Sequence, residues 1–330
     1  MNITVLGAGA WGTALAISLA ANHRITLWGR DAGQIETMRG TRGNQRYLPG
    51  AMLPDTLNLS ANLSDALAVA DLAIIAVPTG ALRPILQQIA QLPNRFGIVW
   101  LCKGFEADTS KLPHQVAAEV LPDGFACGVL SGPSFAQEVA RGLPTALTLA
   151  SNDEEFARNT ALALHHAKLR IYASTDVIGV EVGGAVKNVM AIASGICDGM
   201  GFGLNARAAL MTRGLAEITR LGLKLGGRLQ TLGGLSGVGD LILTCTGDLS
   251  RNRQVGLLLV QQHNLSDILR KLGHVAEGVY TVREVHYLAQ RLGVEMPISE
   301  AVYRVLYEHV PTGEVVADLL NRTPNYEFGQ

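Results

Sequence analysis

The 330-residue sequence has no excess of either charge: 27 Lys and Arg against 28 Asp and Glu leave a formal net charge of −1. An even balance gives no overall field for nucleic acid or an anionic membrane, so any anion must be gripped locally. Cysteine is scarce. Cys102, Cys127, Cys197 and Cys245 are widely spaced, form no Cys-x-x-Cys pair and read as buried thiols in a reducing cytoplasm. None of the eight histidines falls at ligand spacing with them, which argues against a zinc site. No apolar run is read as reaching the roughly 18 residues a membrane span needs. Met1-Asn2 leads directly into Ile3-Thr4-Val5-Leu6 without a basic segment, so no secretory leader is expected. Internal repeats and low-complexity linkers are also absent.

What is present is a globular composition, 48% apolar and 17% charged, with a mean hydropathy of +0.22. The length predicts two domains, and the apolar excess fits a parallel sheet, buried helices and a homodimer interface. The first half alternates short apolar runs with helical stretches. Strands are predicted at Ile3–Leu6, Ile25–Trp28, Asp71–Val77, Gly97–Cys102, Ala126–Leu130, Ala146–Ala150 and Leu169–Tyr172. Strands spaced by helices imply βαβ units and a parallel sheet covered on both faces. From Val177 onward helical periodicity takes over, with helices predicted at Val177–Gly199, Ala206–Leu223, Arg253–Gln262, Ser266–Leu272, Val279–Leu292, Ile298–His309 and Thr312–Leu319. The fold class is therefore α/β: a Rossmann-type parallel-sheet domain over residues 1–174, then an all-α domain over residues 175–330.

Gly7-Ala8-Gly9-Ala10-Trp11-Gly12 stands directly after the first strand and before a helix, the context in which Gly-x-Gly-x-x-Gly means a dinucleotide site. Gly7 permits the tight turn, Gly9 lets backbone N–H groups reach a pyrophosphate, and Gly12 lets the helix pack on the strand. The helix N-terminus adds partial positive charge. At the end of the second strand, Asp31 suits the ribose 2′-OH of NAD and Arg30 the 2′-phosphate of NADP. The pair leaves cofactor preference open with a lean to NADP, and a solvated loop is the plain alternative. Lys103 lies at a strand's carboxyl end beside Gly104, where ligands of open sheets sit, although a surface lysine reads the same way. Ser131-Gly132-Pro133-Ser134-Phe135-Ala136 is another strand-end loop, with a helix start predicted at Ser134.

In the Val177–Gly199 helix, Gly184, Lys187, Asn188, Ala191, Gly195 and Asp198 share a small polar face. Lys187 amid apolar neighbours either snorkels past its helix or is buried with a lowered pKa that suits proton transfer. Gly237-Val238-Gly239-Asp240 lets a carboxylate approach a ligand. Ser250-Arg251-Asn252 groups a hydroxyl, a guanidinium and an amide as phosphate recognition does, though Asp248 or Ser250 also reads as a plain helix cap.

Together these motifs, with Arg253 and Leu241, span nearly the whole chain and resemble the bacterial-type NAD(P)-dependent sn-glycerol-3-phosphate dehydrogenases. The resemblance implies hydride transfer between sn-glycerol 3-phosphate and dihydroxyacetone phosphate, supplying glycerol phosphate for phospholipids. It implies Lys187 as proton acceptor, and Lys103, Gly132, Ser134, Lys187, Asp240, Ser250, Arg251 and Asn252 as substrate contacts. The cofactor contacts it implies are Gly7, Gly9, Ala10, Trp11, Gly12, Arg30, Lys103, Ala136, Arg251, Val275 and Glu277. Val275 and Glu277 come from the resemblance alone. Relatives often carry Ser at the position of Ala10; the missing hydroxyl removes about 1 kcal/mol of phosphate hydrogen bonding and leaves the backbone amides intact. Two other readings are a dehydrogenase for 3-hydroxy acids and an inactive nucleotide sensor. The sensor would need neither lysine nor Asp240.

Overall fold

The computed structural model describes residues 1–261, 263–272 and 276–323. Its strands are β1 (Asn2–Leu6), β2 (Arg24–Trp28), β3 (Gly43–Asn44), β4 (Leu48–Met52), β5 (Asn58–Ser60), β6 (Leu72–Ile75), β7 (Gly97–Trp100), β8 (Cys127–Ser131), β9 (Thr145–Ala150) and β10 (Leu169–Ser174). Eight of them form one sheet in the order β10-β9-β8-β7-β6-β1-β2-β5, and β3 and β4 pair as a separate antiparallel hairpin. The chain works outward from β1 to β2 and β5, then returns to β6 on the other side of β1. The carboxyl ends of β1 and β6 thus flank the crevice where open sheets bind ligands.

Adjacent residues on a strand point to opposite faces, so Ile74 packs with Val5, Leu15 and Ile35 on one side while Ile75 packs with Leu6, Leu86 and Trp100 on the other. Helices cover both faces, as the continuous apolar strands require. The expected parallel sheet is interrupted at one junction, because β9 runs antiparallel to β8. The chain leaves β8 at the carboxyl edge and stays there to pack the short helix Ala136–Ala140 near Ala14 and Trp11. It must therefore enter β9 from that same edge. That helix starts at Ala136 with Phe135 as its cap residue, not at Ser134.

The hairpin β3–β4 and the edge strand β5 were not legible as strands. Their sequences carry Gly, Pro and Asn and hardly any of the β-branched runs that mark a buried strand. The hairpin holds the glycine loop in place. Buried Asn44 donates from Nδ2 to the Ala8 carbonyl (3.0 Å) and to Thr13 Oγ1 (2.8 Å), and Gln34 Nε2 donates to the same carbonyl at 3.0 Å.

Beyond Ser174 the described residues are helical. Val177–Gly199 has the length and mean hydropathy (1.4) of a membrane-crossing helix, contrary to the expectation that no stretch reaches it. It is the central helix of the second core, with 94% of that apolar window buried inside the protein. Asp176 caps it, accepting from Gly179 N at 2.8 Å. The helix Arg251–Val260 crosses it at paired glycines: a Cβ on Gly195 would lie 2.0 Å from Arg253 O, and one on Gly256 2.1 Å from Ile192 O. This close crossing aims the N-terminus of Arg251–Val260 at the centre of the molecule. Three short elements were missed: the helix Leu229–Leu232, a π-turn over Leu235–Gly239 and the helix Asp240–Thr246.

The crossing gives a matched pair of variants. Gly195→Ala should destabilise by about 3 kcal/mol through overpacking and lower the thermal midpoint. Gly313→Ala, where a Cβ meets nothing within 4 Å, should leave the midpoint unchanged or slightly raised. Equal midpoints for the two variants would contradict the packing.

Candidate active site

The glycine loop has the geometry of an anion cradle. Gly7 has φ +125°, and a Cβ there would lie 2.5 Å from Ala76 O; one on Gly12 would lie 2.0 Å from Gly7 O. Neither position admits a side chain. Gly9 differs, because a Cβ there meets nothing within 4 Å, so space lies open above it. The backbone N–H groups of Gly9, Ala10, Trp11 and Gly12 find no acceptor among the described residues. An open, donor-rich helix N-terminus fits a pyrophosphate. Trp11 and Ala136 pack against one small cluster around Ala14, Leu48 and Val139, which brings those two positions to the same side of the loop.

Arg30 is exposed at the end of β2 and lines a cleft of about 730 Å³ with Trp28, Asn62 and Gln88. Asp31, the candidate ribose carboxylate, caps the next helix by accepting from Gln34 N at 3.1 Å, so one of its oxygens is already engaged. Val275 lies outside the described residues.

The second half of the site is an ionic triad. Lys103 follows β7, Lys187 sits midway along the central helix, and Asp240 opens the helix after the π-turn. Asp240 accepts from Lys187 Nζ through Oδ1 at 2.5 Å and from Lys103 Nζ through Oδ2 at 2.6 Å. Both Asp240 (1% exposed) and Lys187 (6%) are buried, so Lys187 does not snorkel. Lys187 also donates to Thr244 Oγ1 at 2.8 Å, and that hydroxyl donates to the Asp240 carbonyl at 2.6 Å. Burial pushes the Lys187 ammonium down to about 8; the Asp240 carboxylate acts against that shift and the Lys103 charge adds to it. For Asp240, burial alone would raise the pKa, but the two ammonium groups outweigh it and hold the carboxyl below its ordinary value. A proton on Lys187 is therefore exchangeable near neutrality, while Asp240 stays an anion.

Lys103 Nζ makes a third contact, with Gly132 O at 3.0 Å, and Ser134 Oγ donates to the same carbonyl at 3.1 Å. Gly132 has φ +140°, a conformation that belongs to glycine and turns its carbonyl toward Lys103. Glu277 joins the two halves: it accepts from Thr79 N at 3.0 Å, beyond β6, and from the backbone N–H of Lys103. Burial raises its carboxyl above the usual value. An amide chain runs beside it. Asn188 Nδ2 donates to Lys103 O (3.2 Å), Asn252 Nδ2 to Asn188 Oδ1 (2.9 Å), and Gly278 N to Asn252 Oδ1 (3.1 Å).

Ser250 is the cap of the helix Arg251–Val260, accepting from Arg253 N at 3.3 Å. Asp248 instead pairs with Arg253 at 3.0 Å. The N–H groups of Arg251 and Asn252 have no acceptor, and the exposed Arg251 guanidinium makes no hydrogen bond or ion pair among the described residues. This end of the site has unspent donors and positive charge, the requirements of a phosphate.

The fold thus gathers Lys103, Gly132, Ser134, Lys187, Asp240, Asn252 and Glu277 into one contiguous network, with Arg251 at its edge and the glycine loop at the adjacent strand end. Sequence reasoning missed Thr244, Asn44 and Gln34. Thr244 had a signal, since it stands one helical turn after Asp240. The others are set by long-range contacts that leave no mark on local pattern.

Comparison with known proteins gives the same assignment over the whole chain. The family model for the NAD-dependent glycerol-3-phosphate dehydrogenase N-terminus matches residues 2–157, and that for the C-terminus residues 176–317. The Nitrosomonas eutropha protein named glycerol-3-phosphate dehydrogenase [NAD(P)+] is 59% identical over 327 residues, covering 99% of each chain. Its Thiobacillus denitrificans counterpart is 61% identical over 328 residues, covering 99% of this chain and all of the other. The crystal structure of glycerol-3-phosphate dehydrogenase from Coxiella burnetii superposes with a TM-score of 0.93 at 41% identity, covering 97% of this chain and 99% of that one. With the cradle, the lysine–carboxylate triad and both matched halves in agreement, the chain belongs to the NAD-dependent glycerol-3-phosphate dehydrogenase family.

Proposed function

We propose that this chain interconverts sn-glycerol 3-phosphate and dihydroxyacetone phosphate with NAD or NADP, Lys187 acting as general acid and base. The observation that carries the reading is the buried Lys187 with its pKa near 8, held on an ionised Asp240 beside a helix end with unspent phosphate donors. When bound, the dinucleotide supplies or takes up the hydride at C2.

The chain's own residues handle the rest. In reduction, protonated Lys187 donates to the C2 carbonyl oxygen, stabilises the charge developing there and gives up its proton. In oxidation, the free amine takes the C2 hydroxyl proton. Asp240 fixes the orientation of Lys187 and balances its charge. Lys103 supplies a second cation and holds substrate hydroxyls with Gly132 and Ser134. Arg251, Asn252 and the helix end capped by Ser250 bind the phosphate. Gly7, Gly9, Ala10, Trp11, Gly12, Ala136 and Glu277 form the cofactor side, to which the family resemblance adds Val275, and Arg30 favours a 2′-phosphate. Residues 1–174 then carry the glycine loop and most of the cofactor contacts, and residues 175–330 supply Lys187, Asp240 and the phosphate end of the site. The reduction direction supplies glycerol phosphate for phospholipids in the cytoplasm, where four unpaired thiols are at home.

Lys187→Ala should lower kcat for dihydroxyacetone phosphate by about 10² or more, with cofactor affinity little changed; unchanged turnover contradicts the assignment. Asn44→Ala, which removes one of the two donors to the Ala8 carbonyl and the bond to Thr13, should weaken NAD(P)H binding about tenfold while Lys187 chemistry persists at saturating cofactor. Fluorescence titration of the reduced cofactor reads this, and wild-type affinity in the variant would show that the hairpin does not hold the loop.

A further inference from the structure

Ser131 ends β8 and is 3% exposed, yet its hydroxyl has no hydrogen-bond partner among the described residues. An unpaired buried hydroxyl costs stability, so its place in the molecule matters. It lies against Gly184 of the central helix: a Cβ on Gly184 would stand 2.8 Å from Ser131 Oγ, with Lys103 Cγ 3.6 Å and Cδ 3.8 Å from the same point. Glycine at 184 leaves room for the hydroxyl, beside the Lys103 stem and on the helix face that carries Lys187.

The order of groups along this helix sets a polarity. The phosphate-binding helix end meets the central helix at Asn188, through Asn252. Lys187, the group for C2, is next to it. Gly184 and Ser131 lie on the other side, about 4.5 Å further along the axis at about 1.5 Å per residue. A three-carbon substrate with its C3 phosphate at Arg251 and its C2 oxygen on Lys187 therefore directs its remaining polar group, the C1 hydroxyl, toward Ser131 and Lys103. This argument rests on the proposed substrate orientation.

We infer that Ser131 Oγ is the partner of the substrate's C1 hydroxyl and selects for a hydroxyl at that carbon. The orphaned hydroxyl of the free protein is the counterpart of one hydroxyl on the ligand. The free enzyme bears the cost of leaving Ser131 unpaired.

The test compares dihydroxyacetone phosphate with its 1-deoxy analogue, hydroxyacetone phosphate, in the wild type and in Ser131→Ala. Wild type should prefer the hydroxylated substrate. The variant should lose about tenfold in kcat/KM for dihydroxyacetone phosphate and less than twofold for the analogue, so that discrimination collapses. Its thermal midpoint should equal or exceed that of the wild type. An equal loss on both substrates with a lowered midpoint would make Ser131 a packing residue and overturn the inference, as would unchanged discrimination. Ser131→Thr, which keeps a hydroxyl, should retain more discrimination than Ser131→Ala; equal behaviour of the two also overturns it. A wild-type protein that reduces neither compound would instead sink the proposed activity itself.

Discussion

A single carboxylate held between two ammonium groups organises this molecule. Asp240 is buried and ionised, and burying one charge is expensive unless it is paired. Here it meets Lys103 from the end of a sheet strand and Lys187 from the central helix. The triad therefore fastens the sheet half to the helical half and at the same time sets the protonation of Lys187. Removing either lysine leaves an under-compensated anion, and removing Asp240 leaves two cations facing each other. Stability and chemistry draw on the same three residues, so the junction between the halves is also the site.

Glycine does the complementary work. Gly195 and Gly256 let two helices cross at backbone contact and so aim the Arg251 helix end at the triad. Gly132 turns a carbonyl onto Lys103, and Gly184 opens space beside Ser131. At the cofactor loop, Gly7 and Gly12 are forbidden any side chain while Gly9 is left in the open. The backbone donors there are intact whichever side chain stands at position 10, which is why Ala10 in place of serine removes little.

Much of the fold could be read in the sequence, for identifiable reasons. Every strand with a continuous apolar run was legible, and so was Val177–Gly199 to both ends, because burial on all sides writes itself as hydrophobicity. Edge strand β5 and the hairpin β3–β4 were not, since a half-solvated strand needs no such run. The π-turn and the helix Asp240–Thr246 were missed because seven residues carry too little periodicity. The reversed β9 follows from where one short helix packs, which is tertiary information. Lys187, Asp240 and the Arg251 cluster stood out by residue type against their surroundings. Asn44 and Gln34 did not, since each acts on the Ala8 carbonyl from far away in sequence. Glu277 entered only through family resemblance, and the structure supplies its physical reason: it ties the loops after β6 and β7 to the helical half.

The most direct measurement is the pH dependence of kcat/KM in both directions, which reports groups of the free enzyme. Burial lowers Lys187 to about 8, so the acid form needed for reduction is present below that pH and lost above it, while the free amine needed for oxidation appears above it. The account predicts that reduction of dihydroxyacetone phosphate falls and oxidation of glycerol 3-phosphate rises through one shared inflection near pH 8, absent from the residual activity of Lys187→Ala. An inflection near the ordinary lysine value of about 10.4, or one that persists without Lys187, would contradict it.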